Sequence, residues 1–408
     1  MKKSVLKKYA QLIVRTGANV QKGQDVIVMA EVDQELLVSY IVEDCYKQKA
    51  KHVEVRWNSD KLTKVIYKHE SVKSLSYVPN WKIEREKEIN RTLPCLIYIE
   101  SSDPDALKGV DQAKTAQVGK NILPIFKPFR DERDNKYQWT IAGAASKAWA
   151  KKVFPNLPAK KAVEALWDAI LKTSRFCDDP VKAWMDHNYD LFKRTEYLNS
   201  LDLDYLHYES SNGTNFKVWL IKEAKFLAGG EEVLGTNVYY NPNIPTEECF
   251  TSPISGKAEG IVYSTKPLSY QGELIENFSI RFEKGRAVEV HAEKGEHLLK
   301  EMIAMDEGAC KLGEVALVPY DSPINNTGLL FYSTLYDENA ACHLALGLGF
   351  SNTIRNYEKY TKEEIRKMGI NDSSIHVDFM IGSKDLNITG YTRDGKKVAI
   401  FKDGNWAF

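Results

Sequence analysis

The sequence lacks an excess of charge of either sign, with Lys plus Arg and Asp plus Glu at 56 each among 408 residues. That balance excludes a global field that would gather nucleic acid, anionic lipid or a highly charged substrate, so any partner is recognised locally. Cysteine is sparse as well. Cys45, Cys95, Cys177, Cys249, Cys310 and Cys342 are scattered with no CxxC spacing, which reads as reduced, mostly buried thiols and points to the cytoplasm. No apolar run approaches the roughly 20 residues needed to cross a bilayer. The start, Met1 to Val14, has lysines but no cleavable apolar core of secretory type. Neither a membrane nor a nucleic-acid partner is expected. Internal repeats and low-complexity tracts are also missing.

What is present suits a soluble globular protein, with 43% apolar and 27% charged residues. The length exceeds the usual size of one core, so two domains are expected. The first half alternates between strand and helix. Asp25 to Ala30, His52 to Trp57 and Pro94 to Glu100 read as strands, with a helical spacing over Gln34 to Lys47. This βαβ rhythm predicts an α/β domain over 1–197 with a mainly parallel sheet. Ala162 to Thr173 and Val181 to Leu198 read as its last helices. From Leu203 onward short strands and glycine turns dominate. Val262 to Leu268, Glu273 to Phe282 and Arg286 to Ala292 alternate about turns such as Glu283-Lys284-Gly285, and a helix is expected over Glu296 to Met305. The region 198–408 is therefore expected to be a separate α+β domain.

That second domain carries metal-grade side chains in four separate segments. In a strand over Ile375 to Met380, His376 and Asp378 would face one side while Val377 and Phe379 pack behind them. The plainer reading is a histidine and an aspartate paired at a strand edge. Glu314 opens an otherwise apolar strand, where a charge is costly unless paired or bound to a cation; a solvated strand start is the alternative. His343 is placed in a helix with Asp337 as N-cap and Gly347 as C-terminal stop. As a buried histidine it wants a partner, and a satisfied core histidine is the bland account. Glu247 and Glu248 sit together in a turn after Pro245. Adjacent carboxylates suit one metal ligand and one free proton carrier, or simply a solvated acidic turn. A second group, Glu289, His291 and His297, reads as surface residues.

Two histidines with three carboxylates favour zinc, cobalt or manganese over calcium or magnesium, and five ligands suit two ions with a bridging carboxylate. Lys384 follows the Asp378 segment, but no arginine adjoins any other ligand, so a phosphoesterase ranks last.

The segments Asn243 to Phe250, Gly313 to Val318, Leu335 to Gly347 and Asn371 to Ser383 resemble the bacterial aminopeptidase T, aminopeptidase S and PepS family. The likeness runs over nearly the whole chain, including Leu6 to Gln24. It implies a two-domain, dimeric, cytoplasmic metalloaminopeptidase acting on peptides, with two divalent ions and a metal-bound hydroxide in the C-terminal domain. The family's ligands match Glu248, Glu314, His343, His376 and Asp378. Glu314 is the preferred bridge and Glu247 the candidate general base. One position departs from the pattern: Phe350 stands where the family has a catalytic tyrosine, seven residues after His343. Either the ions carry the developing oxyanion charge, or another donor such as Tyr336 substitutes, or the chain is a weakened or non-catalytic metal- or peptide-binding relative.

Overall fold

The computed structural model describes residues 1–270 and 272–408. The chain divides into two compact units, one of residues 1–185 with 230–245 and one of residues 186–229 with 246–408.

In the first unit, the strands Asp25–Glu31, His52–Asn58, Cys95–Glu100, Trp139–Gly143 and Asn243–Ile244 form one parallel sheet. The central runs Val26-Ile27-Val28 and Cys95-Leu96-Ile97 are buried throughout, as parallel strands covered on both faces must be. The expectation of an α/β fold with a parallel sheet is met here. Gly17 is needed for closeness rather than for its turn: a Cβ there would lie 2.7 Å from Thr140 Oγ1.

The second unit holds two antiparallel sheets. The larger includes Leu203–Glu209, Asn215–Leu220, Pro253–Tyr263, Glu273–Glu283, Arg286–Lys294 and Asn387–Thr392. The strand expected over Val262 to Leu268 is two: Pro253–Tyr263 ends early and Leu268–Tyr270 resumes. Between them Thr265 N donates to Met380 O at 2.8 Å, so that stretch bonds to another part of the unit.

The smaller sheet runs in the order His376–Met380, His343–Gly347, Leu312–Leu317, Cys249–Thr251, Leu227–Ala228. Here one expectation is overturned. His343 does not sit on a helix; it opens the strand His343–Gly347. Helix exists only over Thr334–Asp337, followed by a 3-10 turn over Glu338–Ala340. The strand is buried at all five positions, so it shows no alternation, and a short apolar run of that kind cannot be told from a buried helix by periodicity. Asp337 precedes only that 3-10 turn, and its side chain does not cap it. Its carboxylate accepts from Phe331 N at 2.8 Å and Ser333 N at 3.1 Å. Gly347 does not stop a helix either. It ends the strand at φ 104°, where a Cβ would stand 2.1 Å from Ile375 O.

Candidate metal centre

Strand register explains how distant segments converge. Glu314, Ala345 and Asp378 are paired in a row across three strands, as are Ala316, His343 and Met380, and Gly347 with His376. Residues directly opposite one another share a face of the sheet, and so do residues two apart. Glu314, His343, His376 and Asp378 therefore rise from one face, and Ala316, Ala345 and Gly347 between them are too small to fill it. The other face is apolar: Val315, Leu317, Leu344, Leu346 and Phe379 belong to one buried hydrophobic cluster. That packing fixes which way the donors point, because a slip of one residue would reverse every side chain. Gly313 lies at a register irregularity just before Glu314, where a Cβ would come within 2.2 Å of Leu348 O.

All five sequence candidates are brought together. Glu248, Glu314 and His343 form one group whose ligand atoms lie within 4.8 Å of one another, and Glu314, His376 and Asp378 form a second. His343 Nε2 is 3.3 Å from Glu248 Oε2, while His376 Nε2 is 3.1 Å from Glu314 Oε2 and 3.2 Å from Asp378 Oδ1. Each imidazole turns its other nitrogen to a backbone carbonyl: His376 Nδ1 is 2.7 Å from Leu348 O and His343 Nδ1 is 3.3 Å from Ala341 O. A carbonyl can only accept, so Nδ1 carries the hydrogen and Nε2 faces the carboxylates. The expected surface group behaves as such, with His291 and Glu289 paired at 2.8 Å in the exposed part of their strand and His297 exposed.

The electrostatics test whether cations fit. Burial pushes the Glu314 carboxyl up to about 7, assisted by Glu248 and Asp378 and opposed by His376. For His343, burial acts to lower the value, but the Glu248 hydrogen bond and the charges of Glu248, Asp378 and Glu314 outweigh it and raise it to about 10. His376 rises well above its usual range against the same burial, held by Asp378 and Glu314. Asp378 is opposed by burial yet held below the usual carboxylate range by His376. Three carboxylates thus outnumber two imidazoles in a buried space, an excess of negative charge that divalent ions would neutralise. The donor set fits such ions.

A pH dependence follows from these directions. The raised His343 value stabilises the metal-free fold below about pH 6.5, and this contribution is lost as pH rises through about 10. Metal binding needs neutral Nε2 atoms and an ionised Glu314, so loading at pH 7 is expected to release roughly two to three protons per chain. Calorimetry in two buffers of different ionisation enthalpy measures that number; a value near zero would contradict the protonated imidazoles.

Glu338, which the sequence does not single out, is a further acid near these donors. Glu338 interacts electrostatically with Asp378, Glu248, His343 and Glu314, and burial followed by the Asp378 and Glu248 charges pushes it well above the usual carboxylate range. It lines a small cavity with Asp378, Tyr332, Ser333 and Thr334. Its signal was an acid five residues before His343, hidden by the helix assignment. Glu247 is buried, with Oε1 3.9 Å from His187 Nε2, and its backbone N donates to Asn339 Oδ1 at 2.7 Å. Phe350 lays its ring 4.8 Å from that of His376 and 5.6 Å from that of Phe250. Tyr336 is fully buried and stacked on Phe331 at 4.7 Å, whereas Tyr332 is the tyrosine that lines the Asp378 cavity.

Comparison with known proteins shows the family. The family described as thermophilic metalloprotease (M29) matches residues 2–406. Aminopeptidase AmpS of Bacillus subtilis (strain 168) is 44% identical over 405 residues, 99% of this chain and 98% of that protein. Aminopeptidase T of Thermus thermophilus is 37% identical over 98% of each chain. The solved structure of wild-type AmpT from Thermus thermophilus superimposes with a TM-score of 0.91, at 36% identity, over the whole of both chains.

Proposed function

Because this chain belongs to the M29 family of metalloproteases, we propose that it is a metal-dependent aminopeptidase that removes N-terminal residues from peptides. Two divalent ions of zinc, cobalt or manganese type would be held by Glu248, Glu314, His343, His376 and Asp378. The observation that carries this reading is that Glu314 belongs to both donor groups. Glu314 would be shared by the two ions, with Glu248 and His343 helping to hold one and His376 and Asp378 the other. When bound, such ions activate water near neutral pH and polarise the carbonyl to be attacked.

The chain's own residues supply orientation and proton handling. The Leu348 and Ala341 carbonyls fix the imidazoles. The small side chains of Ala316 and Ala345 and the bare Gly347, on the same face as the donors, would leave room above the sheet for the end of a peptide. Phe350 packs its ring against that of His376. Glu247 adjoins Glu248 and is one candidate to pass a proton to the leaving amine. Glu338 is favoured by a specific observation, since it feels the charges of four of the five donors and lines a cavity with Asp378, while the Glu247 carboxylate lies near His187. Free thiols at all six cysteines suit a reducing compartment, and family resemblance supports a cytoplasmic homodimer.

Release of amine from aminoacyl chromogenic substrates tests the reading. Hydrolysis is expected to require added ions and a free α-amine, and to fall on N-acetylation; in the same assay Glu338→Gln should lose more turnover than Glu247→Gln. A second reading, a binding protein without turnover, rests on Phe350. It would be supported if stoichiometric ions bind and no amine is released.

A further inference from the structure

We propose that Asp306, outside the donor set, is a positioning residue that fixes His376 for metal binding, an inference that rests on His376 being a ligand. Asp306 follows the helix Glu296–Ile303. Its Oδ1 accepts from Gly308 N at 3.0 Å and Ala309 N at 2.9 Å, closing its own turn. Had it done only that, it would be an ordinary turn residue. The same carboxylate reaches nearly seventy positions along the chain, accepting from Ser373 Oγ at 2.8 Å through Oδ1 and from Ser374 N at 2.7 Å through Oδ2. Ser374 Oγ also donates to Oδ2. Ser373 and Ser374 stand three and two residues before His376, where the strand begins.

Independent contacts clamp the same loop. Asn371 Nδ2 donates to Gly308 O at 2.8 Å and Gly347 O at 2.6 Å, and its Oδ1 accepts from Ser255 Oγ at 2.9 Å. Backbone lies on backbone, since a Cβ at Gly308 would fall 1.9 Å from Asp372 O. Leu348 N donates to Ile375 O at 2.7 Å, and Leu348 O receives His376 Nδ1. Asp306 is therefore the charged end of a chain of contacts that terminates on the imidazole. Charge-assisted bonds of this kind are stronger and more directional than neutral ones, and outer partners of metal ligands set ligand orientation.

Asp306→Asn separates positioning from folding. An asparagine carbonyl can still accept from Gly308 N and Ala309 N, but its amide cannot accept from Ser374 N. Metal affinity, measured by chelator competition without substrate, is expected to weaken by about 10- to 100-fold. Turnover should return at saturating metal with KM unchanged. Ser374→Ala, which leaves the Asp306 turn intact, should move affinity in the same direction. Affinity within about twofold of wild type in both variants, or a loss that saturating metal does not restore, would overturn the proposal. If the wild-type chain itself binds no divalent ion, the reading of His376 as a ligand fails first, and the two failures are distinguished by that control.

Discussion

Glu314→Gln is expected to reduce peptide hydrolysis by about 100- to 1,000-fold, the scale of losing a principal preorganised electrostatic element in an active site. Glu314 is the one carboxylate common to both donor groups. An amide keeps the shape and one acceptor oxygen but has no charge, so it cannot neutralise two neighbouring cations. Elemental analysis should find fewer than two ions per chain. Stability should move the other way in the metal-free protein. The Glu314 value is raised to about 7 chiefly by burial, so its ionised form is disfavoured in the fold, and a penalty develops as pH rises from its unfolded value towards and past about 7. Glutamine carries no such penalty. At pH 8 the metal-free variant should therefore melt no lower than metal-free wild type, while added ions should raise the wild-type melting temperature far more. An unchanged rate with two ions bound would remove Glu314 from the bridging role.

Phe350→Tyr is expected to raise kcat by about 100- to 1,000-fold, the usual value of one oxyanion donor. The Phe350 ring already lies against His376, and Ser252 Oγ fixes its backbone by accepting from Phe350 N at 2.8 Å, so the added hydroxyl would extend from a held ring. An interaction formed only as charge develops changes kcat and leaves KM almost alone. Metal content should not change. If kcat stays within about twofold, the oxyanion is already served by the ions or by another donor. Tyr332 is then the first to replace by phenylalanine, because it lines the Asp378 cavity, while Tyr336 is stacked on Phe331 in the interior.

Much of this site was legible before any coordinates. His376 and Asp378 are two apart in a strand, and period two alone puts them on one face. Glu314 was conspicuous as an acid in an apolar run, and its burial bears that out. His343 was picked out although its helix was wrong, because the need of a buried imidazole for a partner does not depend on the element that carries it. Glu338 was not picked out, since the mistaken helix gave it no common direction with the other donors. Asp306 was invisible for a different reason. Its partners, Ser373 and Ser374, are brought to it by chain folding, and nothing local to either segment announces the pairing.

The sequence by itself determined the chemistry available: which side chains could grip a cation, the parallel-sheet rhythm of the first half, and the absence of a hydroxyl at position 350. Only the tertiary structure decided that Glu314, Ala345 and Asp378 stand in one row, with alanine leaving the gap that two carboxylates need. The physical reason is that local propensity acts over a few residues. Strand register, which aligns positions more than sixty apart, is set by burying Val315, Leu344 and Phe379 together on the opposite face.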